Sequence, residues 1–288
     1  MWYNQIERGD ILNDYFPRNS FLKFTLTTLG FFILMSIIAV IAYGVFEDSP
    51  YLVLMDIVTY ILLYLVLFIA PNTHEDRYAI LRRPNEDSGS FMLTAAPFFI
   101  MSVTSVIYVN LISALSPELY EAFINSPNLA SNMGDITDPL GFLVSFIVIV
   151  ILAPVIEELV FRGVLFNMLN RKLGVTASLI ISGSFFGILH FATFFPAAIM
   201  GFVLGFIYHR TGDIRTSIKA HVFNNLVSFS MAYIPFLDFN DPGLTEAGLG
   251  IAVIILDFVF IIWFVSYFIR ERSYLSERAP VYREVGYW

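Results

Sequence analysis

The stretch Ile151 to Asn170 reads ILAPVIEELVFRGVLFNMLN and places two adjacent carboxylates and an arginine inside an apolar run. A carboxylate there can act as a general base toward water, or it can be neutralised by a cation and only order its neighbours. The spacing separates these roles. On a helix, residues four apart share a face, so Glu158 and Arg162 are set to pair. Glu157 points about 100° further round the axis, beyond the reach of the same guanidinium. The pattern assigns Glu158 to the pair and leaves Glu157 for chemistry. Ionisable groups at membrane depth cost roughly 2.5–3.5 kcal/mol each on insertion scales, so three together mark a site by default. On this segment alone, an ion-pair network that only orders the bundle is the alternative.

Two of the four histidines stand in apolar runs. His190 closes FGILH, with Phe186 one turn earlier on the same face. His221 opens HVFNN, with Asn225 at i+4, so both can point at one spot. His74 and His209 fall in or beside basic loops and read as surface residues. Asp257, midway along the last apolar run, reads as a buried structural acid or a partner to the site; Asp56 sits near the end of the second run.

The elements that must position these groups follow from composition. Of 288 residues, 57% are hydrophobic and 14% charged, against about a quarter charged in soluble domains. The chain reads as an all-α polytopic membrane protein of about eight transmembrane helices. Its apolar runs are Phe21–Val45, Leu52–Ala70, Phe91–Leu115, Leu140–Leu169, Ala177–Phe195, Ala197–Tyr208, Ile218–Tyr233 and Gly248–Ile269. The sixth is short for a bilayer of about 30 Å. Segments 46–51, 116–139 and 235–247 hold no Lys or Arg, whereas the alternate loops and both ends carry them. The positive-inside rule then puts both termini in the cytoplasm. One integral membrane domain is expected over 1–288: a cytoplasmic segment 1–20, helices one to three in 21–139, a core in 140–234, and a last helix with its tail in 235–288. The lipid bilayer is the expected surroundings, and the acidic N-terminal residues show no cleavable signal pattern.

Net charge of −8 argues against nucleic acid as a partner. The absence of cysteine excludes disulfides, thiolate metal sites and a cysteine nucleophile. Pro154, just before the glutamates, predicts a kink or partial unwinding. Gly183-Ser-Phe-Phe-Gly187 and Gly201-Phe-Val-Leu-Gly205 suit close helix approach. Depth places Glu157 and His221 in the cytoplasmic half but His190 nearer the midplane; a tilted or partly extramembrane fifth helix would reconcile them.

Taken in order, EExxxR at Glu157–Arg162, FxxxH at Phe186–His190 and HxxxN at His221–Asn225 resemble the three motifs of the CAAX-type prenyl endopeptidase and bacteriocin-processing (CPBP/Abi) family of intramembrane glutamic proteases. The likeness covers roughly Leu140–Tyr233 and includes the turn Thr211-Gly212-Asp213-Ile214. It implies an eight-helix endopeptidase that cleaves a peptide or protein near the cytoplasmic side. Glu157 would activate water, His190 would help to hold that water, and His221 with Asn225 would form the oxyanion hole. Glu158, Arg162 and Phe186 would shape the site, and no cofactor would be needed. A prokaryotic plasma membrane is the expected location.

Three other readings use the same residues. A zinc protease could take His190, His221 and Glu157 as ligands with water as a fourth, although the chain has no HExxH and Asn225 suits an oxyanion donor better than a metal ligand. A non-catalytic scaffold or immunity protein could keep the fold alone. A transporter could relay protons through Glu and His, but the halves show no internal repeat of the kind many transporters carry.

Overall fold

The structure, a computed structural model, describes residues 90–124, 139–190, 193–232 and 244–275, with Gly30 besides. The chain divides into two compact units, Met1–Ile80 and Leu81–Trp288, and apart from Gly30 every described residue belongs to the second. The expected spans Phe21–Val45 and Leu52–Ala70, together with Asp56 and His74, lie outside the described residues. All described elements are helical.

Helix α1 (Phe91–Leu115) starts at Ser90, whose hydroxyl accepts the N–H of Leu93, and α2 (Pro117–Ile124) follows. The chain then forms one continuous rod over 139–173: α3 (Pro139–Phe146), a π-helical stretch Ile147–Leu152, α4 (Ala153–Glu158), a second π-helical stretch Leu159–Phe166, and α5 (Asn167–Leu173). The disturbance expected at Pro154 takes the form of widened turns. Ala153 donates its N–H five residues back, to Val148 O, and Pro154 has no N–H to donate. Wide turns of this type cost hydrogen-bond geometry and gather at functional sites. Here they flank the two glutamates.

Gly174 ends α5 with φ of +79°, a conformation only glycine takes without strain. Helix α6 (Val175–Leu189) follows, then α7 (Phe194–Thr211), α8 (Ile214–Ala232), α9 (Leu244–Glu271) and a 3₁₀ turn Arg272–Leu275. The Thr-Gly-Asp-Ile turn between α7 and α8 has a clear local logic. Gly212 takes φ of +65° and returns its N–H to Tyr208 O, closing α7. Asp213 Oδ1 accepts the N–H of Arg215 at 3.1 Å, capping α8.

Among the described residues, four helices are long and apolar enough to cross a membrane: Phe91–Leu115, Pro139–Asn170, Phe194–Thr211 and Ile251–Glu271. The division between the fifth and sixth elements differs from the sequence reading. His190 leaves the helix at α6's end, Thr193 N–H bonds to His190 O, and Phe195 belongs to α7. So α6 is the short one, with 15 residues, about 22 Å at 1.5 Å per residue, while α7 runs for 18. Both GxxxG patterns lie at the α6–α7 contact. A Cβ on Gly201 would stand 2.9 Å from Gly183 Cα, and one on Gly183 would stand 2.9 Å from Ala198 O and Phe202 N. Either would force the helices apart. His209, expected at the surface, is buried with its ring 5.9 Å from that of Phe166.

Candidate active site

The pairing read from the i,i+4 spacing is present. Arg162 Nη1 donates to Glu158 Oε1 at 2.8 Å, with both side chains at most 1% exposed. Such a buried charge pair needs further hydrogen bonds to offset its desolvation, and both partners have them. Arg162 Nη2 donates to Gly201 O at 2.8 Å. That carbonyl is reachable because α7 has no Cβ at its closest approach to α6. The guanidinium also lies 5.1 Å from the ring centre of Phe186, a cation–π distance.

His221, from α8, meets this pair from across the bundle. Its Nδ1 lies 2.9 Å from Glu158 Oε1. The carboxylate oxygen can only accept, so Nδ1 carries hydrogen. The other ring nitrogen, Nε2, lies 3.8 Å from Glu157 Oε2, an ion-pair distance beyond a direct hydrogen bond. Glu157 is 17% exposed at its side chain, against 0% for Glu158. The two neighbouring glutamates thus occupy different environments, one sealed against arginine and one partly open beside the histidine.

Phe186 and His190 complete the first ring around this core. Phe186 stacks on His190 with centroids 4.4 Å apart and meets the His221 ring edge-on at 5.7 Å. His190 caps α6, and its Nδ1 donates to Phe186 O at 2.8 Å. In the neutral ring this leaves Nε2 as the acceptor. Among the described residues, no hydrogen bond joins His190 to a glutamate or to His221; Phe186 links them. Asn225, one turn beyond His221, donates from Nδ2 to Ile149 O at 2.8 Å.

No group of three His, Asp or Glu side chains placed to hold a metal occurs among the described residues. Asp257 is buried, and its Oδ2 accepts from Ser102 at 3.1 Å, a bond between α9 and α1. Among the described residues, no hydrogen bond or ion pair joins it to the motif side chains.

Two residues to which sequence spacing assigned no part in the site, Asn167 and Gly201, support the first motif. Asn167 Nδ2 lies 3.1 Å from Arg162 O, 3.0 Å from Gly163 O and 2.8 Å from the Tyr208 hydroxyl. It ties the widened turn after the glutamates to α7. An asparagine inside the apolar run Leu140–Leu169 was the available signal. Gly201 was visible as a packing glycine, but nothing in its pattern announced that its carbonyl would hold Arg162.

Residues 139–227 match the family model described as "Type II CAAX prenyl endopeptidase Rce1-like". YdiL, a candidate membrane peptidase of Bacillus subtilis (strain 168), is 32% identical over 120 residues, which are 41% of this chain and 48% of that protein. The chain thus spans about half the length of this curated relative. No solved structure matches the chain. The matched segment 139–227 carries EExxxR, FxxxH and HxxxN on the elements just described, and through it the chain is similar to the Rce1-like type II CAAX prenyl endopeptidases.

Proposed function

We propose that this protein is an intramembrane endopeptidase in which Glu157 is the general base. The observation that carries the reading is the unequal setting of the two glutamates around His221: Glu158 is held at 2.9 Å and sealed with Arg162, while Glu157 is partly exposed at 3.8 Å. Glu157 takes a proton from water, and the hydroxide attacks the peptide carbonyl carbon. The oxygen that becomes anionic accepts hydrogen bonds from His221 and Asn225. Collapse of the tetrahedral species breaks the C–N bond, and the proton returns from Glu157 to the leaving amine. Each preorganised donor at that oxygen is worth about 3–4 kcal/mol. His190, with an accepting Nε2, orients the water.

For His221 to donate from Nε2 as well as Nδ1, its ring must carry both hydrogens. One such ring, one guanidinium and two carboxylates sum to zero, the balance that a site away from bulk water favours. Glu158, Arg162 and Phe186 hold the histidine and the helices in place. The substrate is a peptide or protein segment reached from the cytoplasmic side, in a plasma membrane crossed eight times with both termini inside.

The test is cleavage of an internally quenched, farnesylated peptide series by the detergent-purified full chain. Wild type and Glu157→Gln are compared, each with and without a strong chelator. Cleavage lost in Glu157→Gln and kept under chelation is the expected result. Loss under chelator with recovery on added zinc would replace the glutamate mechanism by a metal one. Cleavage that Glu157→Gln leaves untouched would remove Glu157 from the chemistry.

A further inference from the structure

Asn225 is held by two bonds that the reaction itself does not need. Its Nδ2 donates to Ile149 O at 2.8 Å, and its Oδ1 accepts from Asn224 Nδ2 at 3.0 Å. We infer, on the strength of the oxyanion role proposed for Asn225, that Asn224 and Pro154 are positioning residues that fix its carboxamide in one orientation.

The Ile149 side of this clamp begins with a missing atom. In a regular α-helix Ile149 O would accept from Ala153, but Ala153 bonds to Val148 O. In the widened register the next donor would be residue 154, which is proline and has no N–H. The carbonyl of Ile149 is therefore short of a helical donor and turns to α8. A carbonyl only accepts, so the Asn225 atom facing it must be the nitrogen.

The Asn224 side locks the other end. Neighbouring residues on a helix do not face each other, so a bond between Asn224 and Asn225 is not a by-product of helical geometry. Asn224 is 4% exposed, and its own Oδ1 has no partner among the described residues. Burying an amide with an orphan oxygen costs free energy that an apolar side chain would not incur. Packing alone does not account for it. Holding Asn225 Oδ1 does, because that bond prevents the carboxamide from turning over and presenting oxygen to an anion. The Asn225 nitrogen has two hydrogens; with one on Ile149 O, the second is left for the substrate.

The test is a kinetic cycle on the full chain in detergent, with the farnesylated quenched peptide as probe and thermal unfolding as the folding control. Asn224→Leu should lower kcat about 10- to 100-fold, the range for a supporting partner, with KM and thermal stability kept. Asn225→Ala should lower it by about 10²–10³. In the Asn225→Ala background, Asn224→Leu should cost nothing more, since its only route of action is gone. Pro154→Ala, which restores a donor near Ile149, should also lower kcat without raising KM, and it carries the test if Asn224→Leu is not recovered folded. A folded Asn224→Leu with wild-type kcat overturns the inference, as does a loss repeated in full without Asn225. Wild-type kcat in Asn225→Ala would overturn the oxyanion reading itself.

Discussion

Replacing Arg162 by methionine removes the cation on which the buried part of the site depends. The pair it forms with Glu158 is at most 1% exposed on either side. At an effective dielectric of about 20, unit charges roughly 4 Å apart attract by about 4 kcal/mol. Breaking buried pairs by removing one partner costs about 3–5 kcal/mol. Methionine also leaves Gly201 O without its donor, and an orphaned buried acceptor adds about 1–3 kcal/mol. With roughly 2–4 °C per kcal/mol for a chain of this size, Arg162→Met should melt at least about 6 °C lower in detergent. The diagnostic comparison is the double variant Glu158→Gln/Arg162→Met. Both charges are then gone, and the introduced glutamine can still accept from His221 Nδ1 through its side-chain oxygen. Removing a buried pair together is often close to neutral, so the double variant should recover most of the loss while cleavage stays impaired. Melting of Arg162→Met at the wild-type temperature, or deficits that add without coupling, would refute the account of a charge pair holding His221.

Three further outcomes follow from contacts away from the reacting groups. Gly201→Ala should destabilise far more than Gly205→Ala, because its Cβ meets Gly183 Cα at 2.9 Å and Phe186 Cβ at 3.0 Å, whereas that of Gly205 meets only the side-chain end of Leu179, at Cδ2; thermal unfolding of the two side by side decides it. Asn167→Leu removes the donor shared by Arg162 O, Gly163 O and Tyr208 and should cost about 1–3 kcal/mol, read as a lower melting temperature. Ser102→Ala takes away the hydroxyl that Asp257 Oδ2 accepts from and should cost a similar amount, about 1–3 kcal/mol. Adding Asp257→Leu should return it, with cleavage unchanged if Asp257 has no part in the site.

The features that spacing revealed are those in which both partners are side chains close in sequence or are joined by a family pattern. Glu158 and Arg162 were readable because four residues on a helix is a contact distance in itself. The separation of Glu157 from Glu158 followed from the same geometry. That His221 would sit against Glu158 rather than stand alone could not be read, since no local rule relates residues on α4 and α8. The short fifth element was missed because hydropathy ran unbroken through Leu189, His190 and Phe195, while the break is made by backbone bonds at His190 and Thr193. His209 was misjudged for a related reason: its place beside a basic turn suggested water, but α7 carries it against Phe166.

The least readable partners of all are main-chain carbonyls. Every residue has one, so the sequence carries no mark of which will be used. Two of them matter here, Gly201 O for Arg162 and Ile149 O for Asn225. What selects each is an atom that is absent. At Gly201 it is the Cβ, whose loss lets α7 come close enough to α6 for its carbonyl to reach a buried guanidinium. At Ile149 it is the N–H of Pro154, whose loss leaves a carbonyl inside a helix seeking a donor from outside it. Glycine and proline in such segments are ordinarily read as a packing signal and a helix breaker. In this bundle each also supplies an acceptor to a motif side chain, so that the helix around the glutamates is irregular at the point where irregularity makes a site.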